Sequence, residues 1–228
     1  MCGRYRLVED GQLKFEELSD VRIELRAFTP RFNLSPGQTA PVIRLQEGNL
    51  GVATLRWGLI PVWSKDPRIA FQCINARSET VATKPAFRSA FKCRRCLIPA
   101  DGFYEWERTD GQKLPWCFVK SDKSPFVFAG LWETWSPSEG VPLVETFTIC
   151  TTTPNRDTAD IHDRMPVILA MKAAEVWLDP EAKPDALSSV LKPAPDGMLT
   201  RYRVSTVVNS SRNETPECIK PLEPQKAA

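Results

Sequence analysis

No run of apolar residues in this 228-residue chain approaches the roughly 18 that a membrane-spanning helix needs, and the opening MCGRYRLVEDGQ lacks the apolar core of a signal peptide. These absences lead to the expectation of a cytoplasmic protein with no membrane partner. Histidine occurs once, as His162, and C-x-x-C occurs once, as Cys93-Arg94-Arg95-Cys96, with no second pair and no thioredoxin-like βαβ pattern around it. No metal site is expected, and the pair reads first as buried thiols. Seven cysteines make an odd number in a reducing compartment, which argues against a disulfide framework; most sit in apolar contexts as small hydrophobes. There is no internal repeat and no long linker. The net charge of +2 permits a local basic groove for nucleic acid without demanding one.

What is present is a series of short strand patterns punctuated by 20 prolines. TAPVIRLQEGNLGVATLRW reads as a hairpin turning at Glu47-Gly48-Asn49. AFQCINA, CLIPADGFYEWE, PWCFVK, FVFAGLWE and ETFTICTTT read as further strands, with turns at Asp110-Gly111 and Ser136-Pro137, and RYRVSTVV as a late one. QLKFEELSDVRIEL has broadly helical apolar spacing, and SETVATKPAFRSAF predicts a helix starting behind Ser78 that Pro85 interrupts. AAEVWL and PDALSSVL read as short helices. The expected architecture is one α+β domain on a curved, mostly antiparallel, barrel-like sheet with a few short helices, spanning residues 1–220, with a polar, Pro-rich tail at 221–228 that frays.

Several segments carry residues suited to chemistry. Asn75 and Arg77 stand two apart in a strand and so share a face, whether as a capped strand end or as a paired amide and guanidinium for a ligand. Glu105 lies between Tyr104 and Trp106; it either points to solvent or, among aromatics, has the raised pKa that a general acid needs near neutral pH. His162 is either structural or the one group whose ordinary pKa lies near neutrality, with Asp160 and Asp163 placed to hold it protonated. Trp57 and Trp63, with Gly58 and Pro61, form either core packing or a platform for unstacked bases. At the start, Cys2 follows a methionine that aminopeptidase removes when the second residue is small. Removal leaves an α-amine and a thiol on adjacent carbons, a pair able to close a five-membered ring on an aldehyde.

MCGRY, NLSPGQ, WGLIPVWSKD, INARSETV, RRCLIPADGFYEW and DIHDRMPVIL, in this order, resemble the SOS-response-associated peptidase (SRAP) family. The resemblance runs from Cys2 to about residue 170, and RYRVSTVVNSSRN is also similar. It implies a single-domain, barrel-like α+β fold that binds single-stranded DNA, senses abasic sites and links to them covalently through Cys2 as a thiazolidine. Carried over residue by residue, it makes Cys2 the nucleophile, surrounded by Asn75, Glu105 and His162. Arg4 and Arg77 become contacts to phosphate and to the abasic residue, Pro36 and Trp63 shape the groove, and Arg164 stands beside the histidine. It implies a crosslinking or lyase-type activity without metal or organic cofactor, in a monomer that joins the nucleoid when bound to DNA. Two other classes stay open: a cysteine peptidase or autopeptidase using Cys2 and His162, as the family name suggests, and a non-catalytic single-strand binding module that needs Trp57, Trp63 and the arginines but not Cys2.

Overall fold

A computed structural model describes residues 2–8, 12–15, 21–24, 28–136, 138 and 140–222, with backbone alone at 12–15 and 21–24. The strands in chain order are β1 (Tyr5–Leu7), β2 (Gln12–Phe15), β3 (Val21–Glu24), β4 (Arg31–Leu34), β5 (Thr39–Gln46), β6 (Asn49–Trp57), β7 (Asn75–Arg77) and β8 (Arg95–Ala100). They continue with β9 (Gly102–Thr109), β10 (Gln112–Lys120), β11 (Phe126–Trp135), β12 (Val144–Thr152), β13 (Met165–Pro166), β14 (Ile168–Leu169) and β15 (Leu199–Arg203). Three short helices accompany them: α1 (Arg88–Cys93), α2 (Met171–Leu178) and α3 (Pro184–Val190).

The expected single α+β domain is what folds, and its sheet closes. In order, β12, β6, β5, β8 and β11 are hydrogen-bonded neighbours, and β11 pairs back onto β12, completing a five-stranded barrel. Two pairings in it and on its edge are parallel, β6 with β12 and β7 with β12; the rest are antiparallel. A second sheet, in the order β15-β10-β9-β1-β4, is antiparallel throughout and packs against the barrel. Closure removes the exposed edges that an open sheet would present.

Local sequence explains the hairpins. The β5–β6 loop is Glu47-Gly48, because Asn49 already pairs with Gln46, and both loop residues have positive φ (50° and 81°). Asp110-Gly111 repeats this between β9 and β10 (50° and 77°). Two consecutive left-handed residues match the right-handed twist of the flanking strands, which is why glycine takes the second place. The core is aromatic where the two sheets meet: Tyr5 of β1 lies 5.3 Å from the Trp57 ring and 5.8 Å from Phe128, and Phe103 stacks on Phe118 at 5.1 Å.

Four expectations need correction. QLKFEELSDVRIEL is not helical over its described residues: β2 and β3 pair antiparallel, Leu13 opposite Ile23 and Phe15 opposite Val21, so spacing two wins over spacing three to four. AFQCINA is a strand only from Asn75; before it, Pro67–Gln72 forms a 3-10 helix, begun by Pro67 and capped by Asp66, whose carboxylate accepts from the Arg68 amide at 2.9 Å. SETVATKPAFRSAF runs as successive turns to Phe87 and becomes α-helical only at Arg88, since Pro85 has no N–H to continue a ladder. In the tail, Pro221 bridges Val204 and the Leu222 amide donates to the Arg203 carbonyl at 2.8 Å, so those two residues are tied down; 223–228 lie outside the described residues. The Ser136-Pro137 turn falls on a partly undescribed stretch, although it joins β11 to β12 as expected.

Gly130 on β11 sits where the barrel interior leaves no space for a side chain. A Cβ there would meet Ile98 Cδ1 and stand 2.9 Å from the Thr148 carbonyl and 3.2 Å from Cys96 Sγ, backbone and core atoms that have no room to retreat. Gly130→Ala is expected to lower stability by about 2 kcal/mol. Urea unfolding should show a lower midpoint with an unchanged m-value.

Candidate functional site

The N-terminal segment is threaded between two strands. β1 pairs with β4 on one side and with β9 on the other, where Tyr5 stands opposite Phe103 and Arg6 opposite Gly102. The Tyr104 amide donates to the Arg4 carbonyl at 3.0 Å, so the register carries Gly3 and Cys2 back past Glu105. Cys2 is fully buried, with its Sγ 3.9 Å from the Arg4 carbonyl. Burial pushes its thiol well above the usual range, and the Glu105 carboxylate pushes the same way.

Glu105 resolves its two alternatives toward the interior: it is 3% exposed, on a stretch of β9 covered on both faces. Desolvation pushes its pKa up to about 8, so the carboxyl is largely protonated at pH 7. His162 Nε2 lies 3.9 Å from Glu105 Oε2. The Arg164 amide donates to His162 Nδ1 at 3.0 Å, which makes Nδ1 an acceptor in the neutral ring and assigns the ring proton to Nε2, on the Glu105 side. Burial moves the His162 pKa down, outweighing Asp163, whose Oδ1 is 2.9 Å from Nδ1. The expectation that Asp160 and Asp163 hold His162 protonated is therefore corrected: Asp160 is bound by Arg201 through two contacts of 2.6 Å.

Arg4, Glu105 and His162 line one cavity of about 460 Å³, together with Trp106, Arg108, Lys113 and Asn209. Arg4 is held there by Asn33 Oδ1 (2.7 Å) and the Val208 carbonyl (2.8 Å), while its Nε is buried with no partner among the described residues. Trp106 is fixed by its Nε1 donating to Asn209 at 2.6 Å.

Asn75 and Arg77 line a second cavity, of about 700 Å³, with Gln72, Thr80, Thr83, Lys84 and Pro85. β7 is positioned by the barrel: Trp57 Nε1 donates to the Ile74 carbonyl at 2.9 Å, and Asn75, Ala76 and Arg77 pair with Ile149, Cys150 and Thr151. Asn75 donates from Nδ2 to the Ile74 and Ile149 carbonyls, and its buried Oδ1 has no donor among the described residues. Arg77 is exposed and makes no ion pair among the described residues. The two tryptophans divide the alternatives between them: Trp57 is core, whereas Trp63 is 57% exposed and reaches Pro85 at the rim of the second cavity. Pro36 is half-buried in the turn that leads from β4 to β5. Arg164 is engaged elsewhere, bidentate with Glu79 (2.7 and 2.9 Å) and bonded to the Thr151 carbonyl, so it ties the histidine loop to β12 beside Arg77.

Arg108, Lys113, Trp106 and Asn209 were not singled out from the sequence. The first two were legible: they stand symmetrically about the Asp110-Gly111 turn and pair across it. Asn209 had no signal, since only the tertiary fold brings it to β9.

Glu105, His162 and Arg4 thus border one cavity, and the buried Cys2 thiol lies close enough for the Glu105 carboxylate to act on it. The chain belongs to the SOS response associated peptidase (SRAP) family, whose profile matches residues 1–211. It is 43% identical over 223 residues to the abasic site processing protein YoqW of Bacillus subtilis strain 168, covering 96% of this chain and 99% of that one. The abasic site processing protein HMCES of Xenopus tropicalis is 35% identical over 224 residues, covering 84% of this chain and 66% of that one. A crystal structure of a Bacteroides thetaiotaomicron protein superposes with a TM-score of 0.76 at 28% identity, covering 84% of this chain and 85% of that one. No helix among the described residues is long and apolar enough to cross a membrane.

The buried acid has a measurable cost. In the unfolded chain Glu105 titrates near ~4.3, and in the fold at about 8. Between these values the folded state binds the extra proton, so this group's contribution to stability falls as pH rises through that window. Glu105→Gln should therefore be more stable than the parent protein at about pH 8.5, with the gap closing toward about pH 4. Thermal melts of both proteins across this range check the sign; a gap that widens toward low pH would contradict it.

Proposed function

We propose that this protein processes abasic sites in single-stranded DNA by forming a thiazolidine with Cys2 once Met1 has been removed. The observation that carries the reading is the adjacency of Cys2 to a carboxyl whose burial keeps it protonated near neutrality. The names of the relatives support the substrate.

An abasic sugar exchanges between a closed hemiacetal and a small fraction of open aldehyde. Glu105 gives a proton to the ring oxygen and takes one from the C1′ hydroxyl, opening the ring. The α-amine of Cys2 attacks C1′; loss of water gives an imine. The thiol then adds across the C=N bond, forming C–S while its proton ends on nitrogen, and the five-membered ring traps an otherwise hydrolysable intermediate. The adduct weighs the sum of its parts less one water. The neutral His162, with its proton on Nε2, donates to the sugar oxygen during opening or reversal. Asn75 Oδ1, lacking a donor among the described residues, accepts from the amine or the sugar without adding charge. Arg4 and Arg77 take phosphates, for which a planar fork suits two oxygens at once. Pro36 and Trp63 shape the groove wall; Arg164, already bound to Glu79, positions the histidine loop.

A peptidase would need Cys2 as a thiolate beside a histidine base. Burial opposes that thiolate, whereas attack by the amine leaves the thiol protonated until the imine exists.

Two outcomes test the chemistry. The free α-amine titrates near ~7.7–8.0 and must be neutral, while Glu105 must keep its proton. The rate of adduct formation with an abasic oligonucleotide should thus rise toward about pH 8 and fall above it. Glu105→Gln should be slower by roughly 10²-fold and lack the falling limb; a wild-type rate for this variant would remove Glu105 from the mechanism. Separately, protein whose intact mass includes Met1 has its Cys2 nitrogen in an amide, which has no basic lone pair. It should bind abasic DNA but give no adduct that survives a denaturing gel, and enzymatic removal of Met1 should restore the adduct. A stable adduct on Met1-bearing protein would falsify the amine-thiol route.

A further inference from the structure

Arg108 and Lys113 stand directly opposite each other across the β9–β10 hairpin. Like charges directly opposite each other in a cross-strand pair repel and destabilise the pairing. Among the described residues, neither side chain has an ion pair or hydrogen bond to relieve this. Glu107, the carboxylate between them and the site in sequence, is taken by Trp116 Nε1 at 2.9 Å. Both cations border the same cavity as Glu105, His162 and Arg4, and the charge of Arg108 reaches His162, whose protonation it opposes. Trp106, fixed by its bond to Asn209, lines the same cavity, and Arg4 lies over its ring at 5.8 Å. An exposed cation pair with no partner among the described residues, lining a cavity beside Glu105 and His162, is arranged for an anion that arrives with the ligand.

We infer that Arg108 and Lys113 form a phosphate subsite that grips the DNA backbone next to the phosphate held by Arg4, on the Glu105 side of the reacting sugar. This rests on the proposed function for the identity of the ligand. The pair holds the strand along the first cavity, whose lining also includes Arg4. The subsite touches no base and predicts no sequence preference.

The test is noncovalent binding of an undamaged single-stranded oligonucleotide across a range of salt concentrations. Arg108→Ala/Lys113→Ala should lower the slope of log K against log salt by about 1.4, at ~0.7 per lost phosphate contact, and weaken binding about tenfold or more at 0.1 M salt. Arg108→Lys/Lys113→Arg, which keeps both charges, should retain the slope. Both positions are exposed, and the single alanine variants, each losing about half the slope change, provide the same answer should the double variant fold poorly. In the adduct assay, the preference for an abasic oligonucleotide over free 2-deoxyribose, which has the aldehyde but no phosphate, should shrink by tenfold or more in the double alanine variant. An unchanged salt slope with an unchanged preference overturns the subsite. Parent protein that binds DNA but makes no adduct refutes the thiazolidine reading instead, and the slope comparison still decides the subsite.

Discussion

The whole site hangs on how the first strand is pinned. β1 is three residues long, too short to hold itself, yet it fixes the position of the chain start. Tyr5 wedges its ring against Trp57 and Phe128, joining the second sheet to the barrel. On the opposite face of the strand, Arg6 Nε lies 2.6 Å from Asp101 Oδ1 in a buried pair, and Asp101 also accepts the Val8 amide. Such a pair gains little against an apolar alternative, but breaking one partner strands a buried charge at about 3–5 kcal/mol. Its value here is one of register: a strand displaced by one residue would turn Tyr5 out of the core and carry Cys2 away from Glu105.

Electrostatics then divides the site into two zones. At the centre, burial acts on Cys2, Glu105 and His162 in the same sense, disfavouring the charged form of each. Arg4, Arg108 and Lys113 border the same cavity as Glu105 and His162, while Arg77 and Lys84 border the second. Neutral groups with cations in the same cavity suit a ligand whose charges lie beside an uncharged reactive carbon. An abasic nucleotide has that distribution, with phosphates on either side of an aldehyde. A thiolate–imidazolium pair would invert it, placing charge at the centre.

Much of this was legible. The hairpins declared themselves through Glu-Gly and Asp-Gly turns, and β11 and β12 through dense β-branched and aromatic residues. What failed were segments where two periods compete or where one residue overrides its neighbours: Leu13, Phe15, Val21 and Ile23 fit a strand as well as a helix, and Pro67 and Pro85 set local structure against the apolar pattern around them. Among site residues, type and strand parity identified Glu105 as a candidate but could not say which side was buried, because its stretch of β9 is covered on both faces. The partnership of Asp160 with Arg201 and of Arg164 with Glu79 spans 41 and 85 residues, distances over which sequence alone sets no contact.

The division of labour between the sheets explains why the site is so dispersed along the chain. Glu105 lies on β9 and Cys2 and Arg4 lead directly into β1 of the second sheet, whereas Asn75 and Arg77 ride on β7 at the wall of the barrel. His162 sits on a loop secured to both, through Asp160 to Arg201 of β15 and through Arg164 to the Thr151 carbonyl of β12. Cys2 and Glu105 therefore belong with one layer and Asn75 and Arg77 with another, and the aromatic seam at Tyr5, Trp57 and Phe128 joins the two. A change that loosens that seam should cost chemistry as well as stability, since it alters the spacing between groups that no single strand holds together.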